Sequence, residues 1–299
     1  MSVLTAAASV SAARARADVV RDYLSLFKLR IVSLLLITAV APMLPAAHGL
    51  PSLRALIAVL IGGTLAAAGA HSINCWFDRD IDASMSRTRR RPIPEGRITP
   101  WHALALGIVA NVLAFAVLLA LTNLLAASLA IAGTLIYVFV YTIWLKRSTP
   151  QNIVIGGAAG AVPPLVGWAA VTGSLDLTAV ALFLVIFFWT PPHFWALAQV
   201  ISADYKRAGI PMLPVVAGSA SAKRQALVYT VLLLAVSLIP YFTGATGAVY
   251  LAGALLLGLG FLAVAVLDLI RQGWTRRVFA ASIAYLALLF ALLALTPVL

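Results

Sequence analysis

Nine stretches of this chain are apolar and close to the roughly 17 to 25 residues that carry a helix across a lipid bilayer. They run from about 31–47, 55–75, 102–121, 124–145, 152–172, 177–201, 226–243, 248–267 and 278–298. Composition agrees. Only 10% of the residues are charged, against about 25% in a soluble domain, and the mean hydropathy is +1.04. The sequence therefore predicts an all-α integral membrane protein, a bundle of nine transmembrane helices. The odd number puts the two termini on opposite sides.

The basic residues fix the direction. Of the 21 Lys and Arg residues, 20 fall on one face of this arrangement and only Arg54 on the other. Basic connections stay in the cytoplasm, so the N-terminus is expected inside and the C-terminus outside. One helix more or fewer would erase the asymmetry. The net charge of +12 is accounted for in this way and does not indicate a nucleic-acid partner. A single cysteine, Cys75, excludes an internal disulfide framework. Residues 1–24, rich in Ala, Ser and Arg, lack the apolar core of a secretory signal and read as a flexible cytoplasmic N-terminal arm. Residues 25–299 read as a single membrane domain.

Two cytoplasmic connections, 76–101 and 202–225, exceed twenty residues, a length usual for functional loops. Each holds acidic residues, then basic ones, then a proline-containing run: Arg91-Pro-Ile-Pro-Glu-Gly-Arg97 and Gly209-Ile-Pro-Met-Leu-Pro-Val215. The likeness suggests two matched half-sites facing each other at the cytoplasmic surface.

The first loop opens on the densest acidic run of the chain, Asp78, Asp80 and Asp82. Asn74, Asp78 and Asp82 are spaced four and four. On a helix each such step drifts by about 40° and climbs about 6 Å, so one amide and two carboxylates share a face. Asp80 points nearly the other way, where Arg79 or loop cations can neutralise it. Hard oxygen ligands suit Mg²⁺, which takes one or two protein carboxylates and fills its shell with water and substrate phosphates. A solvated helix end with ordinary ion pairs is the plainer reading. Acids flanking an apolar span are costly and tend to be functional, and the stripe lies beside six arginines. His71 lies on the same stripe, one to two turns deeper. It either touches substrate or metal or is an ordinary core histidine, the commoner case.

In the second half, Asp204 is the one acid of its loop. If the loops face each other it completes the metal site from across the cavity. Pro191-Pro192 predict a broken or kinked helix, with His193 directly after them. The basic residues Arg87, Arg91, Lys146 and Arg147 suit phosphate binding, although each also serves the charge bias between the two faces. Aromatics crowd this end: Trp76, Phe77, Tyr141, Trp144, Trp168, Trp189 and Trp195. Aromatic faces stabilise cations, but a belt at the membrane interface is the default explanation.

From about residue 22 to its end the chain resembles the UbiA-type intramembrane prenyltransferases, and among them the haem-farnesylating branch, the protohaem IX farnesyltransferases. Asn74-x3-Asp78-x3-Asp82 is similar to the family's first aspartate-rich motif. The branch is indicated by Arg87-Thr-x-x-Arg-Pro-Ile-Pro-x-Gly-Arg97, Tyr141-Thr-x-Trp-Leu-Lys-Arg147, Trp189-Thr-Pro-Pro-His-Phe-Trp195 and Asp204-Tyr-x-x-Ala-Gly-Ile-Pro-Met-Leu-Pro214. Many relatives carry a paired Asp-x3-Asp in the second loop. Here Val200 and Ala208 flank a solitary Asp204, a reduction shared by the haem branch. Phe27-Lys-Leu-Arg-Ile31 lacks the proline usual between its two cations.

The resemblance implies transfer of a farnesyl group from farnesyl diphosphate to a vinyl group of haem B, with addition of water, giving haem O and diphosphate. It implies Mg²⁺ held through Asn74, Asp78, Asp82 and Asp204, with Asp78, Asp82 and Asp204 essential to catalysis. Arg87, Arg91, Lys146 and Arg147 would bind the diphosphate, and Tyr141 and Trp189 would stabilise the allylic cation. His193 would serve haem, by ligating iron or bonding a propionate, unless it merely caps a helix kink. The setting would be the inner membrane of a bacterium, with haem A synthase or terminal oxidase assembly downstream. A quinone or aromatic-precursor prenyltransferase of the same fold and a small secondary transporter are the rival readings. Against a transporter, the charges gather at one surface and not at the midplane.

Overall fold

The computed structural model describes residues 18–271 and 273–295. Most of the N-terminal arm, residues 1–17, lies outside the described residues, as does the end of the chain. Among the described residues nine helices are long and apolar enough to span a membrane. They are α1 (Leu29–Ala46), α2 (Leu53–Phe77), α3 (Pro100–Leu121), α4 (Leu124–Ser148), α5 (Asn152–Thr172), α6 (Leu177–Val200), α7 (Gly218–Phe242), α8 (Ala248–Ile270) and α9 (Thr275–Leu295). Their number matches the sequence expectation, and most boundaries fall within a few residues of it.

Where the chain turns sharply, the ends are capped as their sequences dictate. Ser52, Asn123 and Asp176 each accept a bond from the backbone N–H three residues on, at the starts of α2, α4 and α6. Large apolar side chains such as Leu34, Val112, Phe139 and Leu256 point outward, as suits a lipid environment. Inside, α5 and α6 form the spine. One apolar cluster packs α5 and α6 against α7, α8 and α9 around Trp168, Leu182, Val185, Tyr250, Phe261 and Phe290. Another packs α5 against α1 to α4 through Met43, Val59, Leu118, Val162 and Val166.

Close crossings of the first half depend on glycine. A Cβ at Gly69 would reach Gly107 O at 2.7 Å and one at Gly107 would reach Gly69 O at 2.8 Å, and one at Gly167 would overlap Ala39 O. The blocking atoms are backbone, so no side-chain movement would relieve a substitution at these positions. Small residues at helix contacts of this kind let backbones approach in membranes.

Four expectations change. The helix α1 is interrupted at Ala41-Pro42, between Leu29–Val40 and Met43–Ala46. The helix α7 begins at Gly218, eight residues before the apolar stretch, which shortens the second long loop. Lys223 is why this polar turn is held: its ammonium meets the Asp268 carboxylate at 2.9 Å and the Asp268 carbonyl at 2.8 Å. The helix α6 runs through Pro191 and Pro192 without a break. Two backbone donors are lost there, but α6 is clamped by α5, α7 and α9, and neighbouring helices make such prolines tolerable in a membrane. Finally, the end of the arm is helical over residues 18–26 and docked. Asp22 pairs with Arg97 at 2.8 Å, Tyr23 meets His102 at 3.1 Å, and Leu26 is buried.

Candidate active site

The helix α2 ends at Phe77, and Asp78 stands between it and a short helix, Arg79–Ser84. The four-residue spacing survives this join. The Asp78 N–H donates to Asn74 O at 2.9 Å and the Asp82 N–H to Asp78 O at 2.8 Å. Asn74, Asp78 and Asp82 are therefore stacked on one face and buried, with Asp78 only 1% exposed. The Asp80 side chain points outward, 61% exposed, as the helical spacing predicts.

Every carboxylate has a cation or a hydroxyl beside it. Lys146 donates to Asp78 Oδ2 at 2.5 Å and Arg91 to Asp82 Oδ2 at 2.6 Å. Arg147 forks onto Asp80 at 2.7 and 2.8 Å and approaches Asp78 Oδ1 at 3.6 Å. That hydrogen-bonded guanidinium holds the Asp80 carboxyl below the usual carboxylate range. Arg79, the sequence-based candidate for this task, donates instead to Trp76 O.

Asn74 is the hub of a second network. Its amide donates to Asp78 Oδ2 at 2.6 Å and to Thr142 Oγ1 at 3.1 Å. Its oxygen accepts from the Lys28 ammonium at 2.9 Å. Lys28 takes a left-handed backbone, φ 51°, at the start of α1, a costly conformation for a residue with a side chain. Desolvation lowers the pKa of its ammonium below the ordinary lysine value.

The helix α4 supplies Tyr137, Tyr141 and Thr142 from one unusual stretch, and Lys146 and Arg147 directly after it. Ile136–Leu145 is wound as a π-helix, with i→i+5 bonding that is rare and often found at functional sites. The Lys146 N–H accordingly donates to Tyr141 O, and the Thr142 hydroxyl donates to Tyr137 O at 2.8 Å. The wider turn lets Tyr137 and Tyr141 stack, centroids 5.7 Å apart. A Cβ at Gly156 would overlap the Tyr141 ring, so α5 leaves room for it.

The two long loops meet. Ile81 and Met85 of the first pack against Tyr205, Ile210 and Met212 of the second, with Tyr141 beside them. The Ser86 hydroxyl lies 2.8 and 2.7 Å from the two Asp204 oxygens, and this contact holds the Asp204 carboxyl below its ordinary range. Arg87 is exposed within electrostatic reach of Asp204 and Tyr205. Among the described residues no three Asp, Glu, His or Cys side chains converge into a ready-made metal cluster. Asp204 reaches the first loop at Ser86 and does not join Asp78 and Asp82.

His193 and Trp189 lie elsewhere, against α9. The His193 ring is sandwiched between Trp189 at 4.2 Å and Phe279 at 4.8 Å, and its Nδ1 is 2.8 Å from Ser282 Oγ. The Trp189 N–H donates to Ser282 O at 2.7 Å. Trp189 is thus a wall for the imidazole and no neighbour of the Tyr137–Tyr141 pair. Sequence reasoning missed Tyr137, Thr142, Ser86 and the inward role of Lys28. The spacing of Tyr137 four before Tyr141 was the one available signal.

The known proteins most informative about this geometry are of two kinds. Solved structures with the same fold include a digeranylgeranylglyceryl phosphate synthase, 19% identical, TM-score 0.78, covering 94% of this chain and 99% of that one. A UbiA homologue from Archaeoglobus fulgidus bound to DMAPP and Mg²⁺ is 17% identical, TM-score 0.69, covering 91% and 99%. Relatives by sequence carry the name protoheme IX farnesyltransferase. That of Symbiobacterium thermophilum is 54% identical over 91% of this chain and 93% of its own length. That of Roseiflexus sp. (strain RS-1) is 52% identical over 94% of this chain. The chain spans about half the length of the Roseiflexus protein, 53%. The model of the UbiA prenyltransferase family matches residues 34–289, a span that holds the whole ladder and both loops, and the chain belongs to that family.

Proposed function

We propose that this chain transfers the farnesyl group of farnesyl diphosphate to a vinyl group of haem B, with addition of water, giving haem O and diphosphate. The observation that carries the reading is the buried ladder Asn74–Asp78–Asp82 with Lys146 and Arg91 on its carboxylates, in a chain about half identical to proteins named protoheme IX farnesyltransferase. Asp78, Asp82 and Asp204 are the catalytic carboxylates.

The ladder fits Mg²⁺. Asp78 Oδ1 is buried without a hydrogen-bond partner, and the donors are hard oxygens. Asn74, Asp78 and Asp82 would hold the ion, the diphosphate supplying the ligands that the protein does not; Asp204, seated on Ser86 of the facing loop, stands outside this set. An ion held there would supply Lewis-acid stabilisation of the leaving diphosphate. Lys146, Arg147, Arg87 and Arg91 bind the phosphate oxygens, the arginines as forks and the lysine as a point charge. Tyr141, stacked on Tyr137 beside the ladder, turns an aromatic face to the allylic cation. Trp189, placed against His193, acts on the acceptor side. The lipid-facing walls keep stray water from the cation.

The test is direct. Purified protein with haem B, farnesyl diphosphate and Mg²⁺ is expected to form haem O, detected by mass, and to lose this activity with a chelator. Prenylation of a quinone precursor with no haem adduct would move the assignment to the other acceptor class.

We place the protein in the inner membrane of a bacterium with the ladder on the cytoplasmic side, passing haem O to haem A synthase or terminal oxidase assembly. A reporter active only in the periplasm, fused after Leu299, is expected to be active; a stable but silent fusion would reverse the orientation.

His193 serves haem in this reading. The Ser282 hydroxyl donates to Phe279 O, so the His193 Nδ1–H donates to Ser282 Oγ and Nε2 keeps a lone pair that suits iron; a propionate would need the protonated ring. His193→Ala is expected to weaken haem binding by about tenfold or more, the scale of one lost charge-assisted bond, and to leave farnesyl diphosphate binding within about twofold. Equal loss of both affinities would reduce His193 to a packing residue between Trp189 and Phe279.

A further inference from the structure

His71 stands on the α2 face that carries Asn74 and Asp78, three and seven residues before them. That places it about 4.5 and 10.5 Å deeper along the axis. It is 7% exposed. The Tyr137 ring meets the imidazole edge-on at 5.4 Å, and Lys28 and Arg91 lie within electrostatic reach. Neither Nδ1 nor Nε2 has a hydrogen-bond partner. Buried polar atoms are paired as a rule, and an exception in a native structure points to catalysis or to a held water or ion. Among the described residues with unpartnered buried side-chain atoms, His71 alone has two. It shares its helix face with another of them, Asp78.

We infer that His71 is a further catalytic residue, which holds the water that completes the reaction and takes the proton that water sheds. The inference rests on the haem-farnesylation reading. In that reaction the farnesyl C1–O bond breaks and the diphosphate leaves with the electron pair. The vinyl π pair forms the new C–C bond to C1, leaving a positive charge on the vinyl carbon next to the porphyrin ring. A lone pair of water closes that charge as a C–O bond. One proton of that water moves to the imidazole lone pair and from there to the released diphosphate or to bulk water. Nothing is oxidised or reduced. An apolar cavity holds few acceptors for such a proton. An imidazole with a free lone pair is one, and His71 lies deeper in the bundle than the phosphate end of the ladder, against Tyr137.

The test uses the full chain in lipid nanodiscs with haem B, farnesyl diphosphate and Mg²⁺, comparing wild type with His71→Gln and His71→Phe. Diphosphate release and haem products are followed together, and thermal unfolding reports on the fold. Haem O formation is expected to fall about a hundredfold in both variants, the scale of a lost general base. Diphosphate release is expected to fall far less. The missing product is expected as the dehydrated farnesyl adduct, in which the cation has shed a proton from carbon without taking up water. His71→Gln keeps the side-chain reach and an N–H donor, so the comparison stands even where phenylalanine crowds Tyr137. Haem O made by His71→Gln at the wild-type rate would overturn the role. So would an equal fall in diphosphate release and haem O, which a purely structural residue would give. Failure of wild type to form any haem adduct would overturn the haem reading itself, and the role of His71 with it.

Discussion

Asp78→Ala and Asp82→Ala are each expected to lower turnover by about a thousandfold or more, the upper range for removing one preorganised charge-stabilising group. Both carboxylates are nearly inaccessible, at 1% and 4% exposed, and each meets a cation at 2.5 or 2.6 Å. Removing Asp78 takes away an oxygen of the proposed metal site and leaves Lys146 without its partner. Removing Asp82 does the same to Arg91. Asp80→Ala is expected to stay within about tenfold, because its side chain is largely exposed and an exposed ion pair contributes about 1 kcal/mol or less. Single-turnover diphosphate release measures the effect, with thermal unfolding to separate activity from folding. Equal losses at all three positions would show that the helical face does not define the site.

Asp268→Ala is expected to cost about 3–5 kcal/mol of stability, the usual penalty for leaving one partner of a buried pair behind. Asp268 is 5% exposed. It accepts from Lys223 of α7 at 2.9 Å and from the Thr275 hydroxyl of α9 at 3.0 Å. One carboxylate on α8 thus ties together the adjoining ends of three helices, and without it an ammonium stays buried between them. The expected readout is a large fall in unfolding temperature in detergent. Replacing both partners, Asp268→Leu with Lys223→Met, is expected to recover most of the loss, because the desolvation cost disappears with the pair. A single variant as stable as wild type would show that the pair is solvated.

Much of this molecule is legible in its residues. The nine spans follow from hydropathy, and the stacking of Asn74, Asp78 and Asp82 follows from their spacing. Other features leave no such trace. The start of α7 is hidden because Gly218–Gln225 is polar, although its Ala, Lys, Arg and Gln are good helix formers. The π-wound stretch Ile136–Leu145 is mostly apolar, with Thr142 as its one strongly polar side chain, so no periodicity separates i→i+5 from i→i+4 winding. The pairing of Ser86 with Asp204 spans 118 residues and depends on how the two loops fold over the ladder. Proline rules predict a break at Pro191-Pro192, but packing on three helices overrides them. Lys28 reads as one more cytoplasmic cation until its left-handed backbone is seen to turn its head onto Asn74.

The winding of α4 makes the length of that helix a tuning element. Each residue advances an α-helix by about 100°. The loss of one residue within Ile136–Leu145 would tighten the stretch and swing Lys146 and Arg147 off the carboxylates they now meet, while Tyr137 kept its place. The parts of this helix proposed to face phosphate and hydrocarbon are therefore phased against each other by a count of residues and not by their identity. A lineage could reset the distance between the two ends of its substrate with one insertion or deletion, leaving every charged residue of the ladder unchanged.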